Sequence, residues 1–119
     1  MRQYILSYQP ENIESLSNGL FRIYYGIEKS SETITHKDEE GHETSETHDI
    51  WICKGVDIAG PISAAVYATL VGTIIRNEYT LDDELALHRQ RETKVAEWTA
   101  YNTFCEDTKT FAKDLLGIN

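Results

Sequence analysis

The sequence lacks most motifs that announce an enzyme. It has no Gly-x-Ser-x-Gly elbow and no His-Glu-x-x-His helix. The glycines of "KGVDIAGP" are not followed by Lys-Ser or Lys-Thr, so there is no phosphate-cradling loop. Cysteine is scarce. Cys53 and Cys105 cannot make a framework of staples and read as reduced thiols of a cytoplasmic protein. Basic residues are scarce as well: 11 Lys and Arg stand against 20 Asp and Glu, a net charge of −9. That balance excludes nucleic acid and anionic membrane surfaces as partners, because both are bound by Lys and Arg neutralising phosphate. The opening "MRQYILSYQP" has no apolar run or small-residue cleavage site, so no secretory signal is expected.

Long hydrophobic runs are missing too. The longest uncharged segment runs from Ile58 to Ile75. With Pro61 at a first helical position it leaves about 14 residues of helix, roughly 21 Å, short of a hydrocarbon core of about 30 Å. A buried core helix is the expectation, not a membrane span. Its small residues Ala64, Ala68 and Gly72 lie four apart and predict a stripe against a closely packed neighbour.

What is present divides into two halves of a single domain. Residues 1–60 read as antiparallel strands. "RQYILSY" alternates and is ended by Pro10, "ENIESL" reads as a connection or one helical turn, and "SNG" is turn chemistry. "LFRIYYGIEKSSETITH" and "TSETHDIWICKGVDI" flank a polar, glycine-containing loop and predict a long β-hairpin with Glu40-Gly41 near its tip. Phe21, Ile23, Tyr25 and Ile27 are expected on one face. The apolar base should pack and the polar tip should project.

Residues 61–119 read as three helices, giving an α+β fold. Val66, Leu70, Val71, Ile74 and Ile75 recur at helical spacing. Thr80 is an N-cap with Asp83 three residues on. From about Thr93 to a stop at Gly117, Trp98, Tyr101, Cys105, Thr108, Ala112 and Leu115 form a stripe that Phe104 and Phe111 widen. This third helix, at roughly 23 residues and 35 Å, exceeds what a compact domain of this size needs.

The hairpin carries the residues that most resemble chemistry. "THKDEEGHETSETHDIWIC" holds His36, His42, His48 and Cys53 among carboxylates. On a strand His42 and His48 would be roughly 20 Å apart and cannot share an ion. "KDEEGHE" lacks the spacing of a calcium loop. No metal, cofactor or catalytic residue is assigned, and a hydrated tip is the ordinary reading. The carboxylates between Glu28 and Asp49 also admit an acidic DNA-mimic inhibitor as an alternative, and a small-ligand or metal-binding module is another.

One resemblance lies in the helical half. "IIRNEYTLDDELALHRQR" followed by "VAEWTAYNTFCEDTKTFAKDLLG" resembles the tails of small phage- and prophage-encoded proteins of unknown function. The shared order is apolar helix, Arg-x-x-Tyr, acidic second helix, and a last helix with a Glu-Trp or Glu-Tyr start and Phe or Trp plus Lys beyond. Tail-fibre assembly chaperones end in a similar aromatic helix. The resemblance implies a non-enzymatic virion or assembly role, as a phage structural protein or its assembly partner. No site residue carries over from it. The leading expectation is an interaction protein acting as a homo-oligomer, a dimer by the commonest closed symmetry. Trp98, Tyr101, Phe104, Phe111 and Trp51 are its candidate interface residues, because Trp and Tyr anchor interfaces.

Overall fold

The computed structural model describes residues 2–118. The chain is α+β, an antiparallel sheet with a long hairpin followed by three helices. The strands are β1 (Gln3–Leu6), β2 (Ile13–Ser15), β3 (Leu20–Lys37) and β4 (Glu43–Ala59), in the sheet order β1-β4-β3-β2. The helices are α1 (Tyr67–Glu78), α2 (Leu81–Arg89) and α3 (Val95–Leu116).

Antiparallel partners share a face of the sheet, so the register assigns every side chain. Ile23 lies opposite Val56, and Phe21 opposite Ile58. These residues and Tyr25 meet Leu70 and Ile74 of α1 and Ala112 of α3 in the core. The helices therefore cover one face of the sheet. The Tyr25 hydroxyl is tied to the same layer. It donates to Glu78 Oε1 at 3.0 Å and accepts from Asn77 Nδ2 at 2.6 Å. Burial pushes the Tyr25 phenol well above its ordinary value.

Four expectations need correction. "ENIESL" is neither a connection nor a helical turn, because Ile13–Ser15 is a strand pairing with Phe21–Ile23. Pro61 does not begin a helix. A short 3-10 turn at Ala64–Val66, capped by Ser63, precedes α1 at Tyr67. Ile27 does not share a face with Tyr25. Tyr25 pairs with Lys54 and Glu28 with Ile52, so Gly26 and Ile27 together oppose Cys53 in a β-bulge. Gly26 sits there at φ +59°, a conformation that costs little only for glycine. The bulge turns Ile27 to the other face. Finally, Ala64, Ala68 and Gly72 are exposed, and a Cβ at Gly72 would meet nothing within 4 Å. The apolar side chains of α1, not its small ones, face the sheet.

Other expectations hold. The chain reverses at residues 38–42. Asp38 Oδ1 accepts from the backbone N–H of Glu40 and of His42, at 2.9 and 2.8 Å. These backbone hydrogen bonds, that of His42 first, hold the Asp38 carboxyl below the usual range. Thr80 and Asp83 form a reciprocal capping box at the start of α2. Gly117 ends α3 in the left-handed conformation.

Candidate interaction surface

The sheet face away from the helices begins, at its base, with a charged and aromatic cluster. Arg22 and Asp57 are cross-strand partners. Arg22 Nε donates to Asp57 Oδ1 at 2.8 Å, and Arg2 Nη1 donates to Oδ2 at 3.2 Å. The Arg22 guanidinium lies 4.9 Å from the centre of the Tyr4 ring, and Tyr4 packs edge-on to Tyr24 at 5.6 Å. Gly55 makes room for this ring, since a Cβ there would come within 2.7 Å of Tyr4 Cε2. The Tyr24 hydroxyl donates to Glu14 Oε2.

β1 and β2 lie at opposite edges of the sheet, so the link between them, residues 7–12, crosses a face. Pro10 within it is buried. So are Cys53 and Tyr24, on the face without helices. The link is therefore a strap over that face, between the base and the outer hairpin. Burial pushes the Cys53 thiol up, which suits a small apolar core residue and not a nucleophile.

Asp57 gives a pH prediction. The hydrogen bond from Arg22 holds its carboxyl below the usual range. Its stabilisation is thus fully present above the unfolded value of about 4 and lost as pH falls through the lower folded value. Asp57→Asn should cost about 1 kcal/mol at neutral pH and make the acid limb of stability shallower below about pH 4. Urea unfolding at several pH values reads both. An unchanged acid limb would place the effect on other carboxylates.

Beyond the strap the hairpin continues as a two-stranded arm that none of the described residues covers on either face. Residues 28–49 are exposed throughout. β1 pairs only with Trp51–Lys54 and β2 only with Phe21–Ile23, so neither flanks the arm. The molecule measures 62 × 40 × 24 Å with a radius of gyration of 19.0 Å. A compact chain of this length would have about 13.5 Å.

The two faces of the arm differ in chemistry. On the helix side lie Glu28, Glu32 and Glu46 with Ile34, His36, His48 and Ile50. On the other side Lys29, Ser31, Thr33, Thr35 and Lys37 face Trp51, Asp49, Thr47, Ser45 and Glu43 in order. There Thr33 and Thr47 hydroxyls are 3.3 Å apart, as are those of Thr35 and Ser45. Lys29 reaches Asp49 at 3.5 Å and Lys37 reaches Glu43 at 3.7 Å. Lys29 also lies 5.7 Å from the Trp51 ring centre.

The histidines do not converge. His42 Nδ1 is 3.1 Å from Asp38 Oδ2 at the tip, His48 Nε2 is 3.2 Å from Glu46 Oε2, and His36 lies opposite Thr44. Among the described residues, no three of His, Cys, Asp and Glu are grouped to hold a metal ion. No described helix is long and apolar enough to cross a membrane.

The expected interface aromatics have partners within the chain. Tyr101 is buried, and Phe104 and Phe111 pack against the core. Trp98 lies half-buried between His88 and Tyr101, at 4.8 and 5.7 Å between ring centres. Trp51 stands half-buried at the root of the arm. The sequence predicts the projecting hairpin but not how its polar residues divide between the two faces, because they read singly as solvated surface. On the face away from the helices, the lysines of one strand set against the carboxylates of the other were the available signal. A cleft of about 440 Å³ at the ends of α1, α2 and α3 is lined by Glu78, Asp83, Gln90, Lys94 and Glu97 among others. Every buried side-chain nitrogen and oxygen among the described residues has a hydrogen-bond partner.

No family model, no curated protein and no solved structure matches the chain.

Proposed function

We propose that this is a non-enzymatic interaction protein that works by assembly, with the hairpin arm as its docking element. The observation that carries the reading is the arm itself. A two-stranded ribbon is marginally stable alone in water, yet here both strands continue far beyond the packed base. Ordering that much backbone costs conformational entropy that no core contact of the arm offsets. A surface that binds something accounts for it. Virion assembly is the setting we propose, on the resemblance of the helical half; tail or capsid genes beside this one would support it, and metabolic neighbours would oppose it.

The test is mass against concentration by light scattering, with and without the arm. Glu28 and Ile52 are cross-strand partners, so an Asn-Gly turn can join them directly. The arm-less chain should keep its helical circular dichroism. The full chain should rise from 13.6 kDa towards at least twice that mass through the micromolar range. The arm-less chain should stay monomeric. A full chain fixed at 13.6 kDa, or an arm-less chain that still associates, overturns the reading.

A further inference from the structure

We infer that the occupant of the arm is a second copy of this chain, stacked on the face that carries Lys29, Lys37, Glu43 and Asp49, with both arms pointing the same way. The inference rests on the assembly reading above and assigns its surface and geometry.

The charge pattern carries it. The chain has an excess of nine negative charges, yet this face of the arm is neutral, with two lysines and two carboxylates. Both lysines are on β3 and both carboxylates on β4. The opposite face has Glu28, Glu32 and Glu46 with no lysine or arginine among the arm residues, so two such faces repel one another.

Two stacked copies of the neutral face can be related by a two-fold axis in either of two directions. An axis parallel to the strands lays β3 over the partner's β4. Lys37 then sits over Glu43 of the partner subunit, Lys29 sits by the partner's Trp51 and Asp49, and the hydroxyl rows lie over one another. An axis across the strands lays β3 over β3 and sets Lys29 against the partner's Lys37. Like charges in contact weigh against that arrangement. The parallel arrangement therefore places cation over anion along the arm face, and it brings the acidic tips side by side where Asp38 and Glu40 are exposed and screened by salt.

Area sets the strength. Five rungs of two strands cover roughly 10 by 30 Å, well below the roughly 800 Å² that each partner of a standard interface buries. The strap residues between base and arm can add to it, with Tyr8 exposed there. Such a contact gives reversible association through the micromolar range, not an obligate dimer.

The test uses two full-length variants. Lys29→Glu with Lys37→Glu makes the face wholly acidic; Glu43→Lys with Asp49→Lys makes it wholly basic. All four side chains are more than 60% exposed, so the fold should be unaffected, which circular dichroism checks. Each variant alone should lose association by tenfold or more at low salt. Mixed one to one, they should associate as heterodimers, and added salt should weaken them. Neither variant has an intact ion pair within its own arm face, so recovery on mixing reports contact between chains. Spin labels at Glu40 separate the two axes. The parallel arrangement puts the labels on neighbouring tips, whereas the other puts them at opposite ends of the pair. Variants that still self-associate, a mixture that does not, or distant tips would overturn the face or its geometry while leaving the assembly reading standing. A wild-type chain that is monomeric at all concentrations would overturn both.

Discussion

Leu70→Ala is expected to destabilise the protein by about 3–4 kcal/mol. Leu70 is fully buried on the α1 surface that meets the sheet, in one cluster with Ile23, Val56, Ile58, Ile74 and Ala112. Truncation removes its transfer free energy and leaves a void between sheet and helix that neither can fill. The core cluster is small, with seven buried members among the described residues. Against a total stability of about 5–15 kcal/mol, a loss of this size is a large share. Thermal or urea unfolding of the monomer at low concentration measures it. A loss below about 1 kcal/mol would mean that α1 packs loosely and that the sheet carries the stability by itself.

Gly60→Ala is expected to cost about 1–3 kcal/mol. A Cβ at Gly60 would overlap Cε2 of the Phe21 ring, and Cδ2 of the same ring would be 2.7 Å away. Phe21 packs against the core, so its ring cannot swing aside without giving up that contact. The control is the same substitution on α1. Gly72 meets nothing and sits inside a helix, so Gly72→Ala should stabilise by about 0.5–1 kcal/mol. The two changes add one identical methyl group and should move the melting temperature in opposite directions. If both stabilise, Phe21 is freer than its packing implies.

Elements with local causes were legible before folding. Thr80 and Asp83 announce α2 because a capping box needs only residues three apart. Gly117 ends α3 because the left-handed turn asks for glycine whatever surrounds it. The hairpin follows from two strand-forming runs around residues 38–42. The apolar period of α3 likewise marks Tyr101, Thr108 and Ala112 as its buried side.

Tertiary structure decided what depended on distant partners. β2 has three residues, too few to show alternation, and is a strand only because Phe21–Ile23 offer an open edge. The bulge at Gly26 and Ile27 depends on the register with β4, and it alone sets which way every residue further along β3 points. Small residues fit equally against a neighbour or in solvent, so the orientation of Ala64, Ala68 and Gly72 had to await the side chains of Leu70 and Ile74. Lys29 and Asp49, twenty positions apart, are two unremarkable charges in the sequence. Pairing β3 with β4 brings them within 3.5 Å and, on that one face, puts the lysines in one row and the carboxylates in the next. Periodicity and capping act within a few residues, and so the sequence alone determines them. Register and facing arise only when distant segments compete for the same core, and folding alone settles that competition.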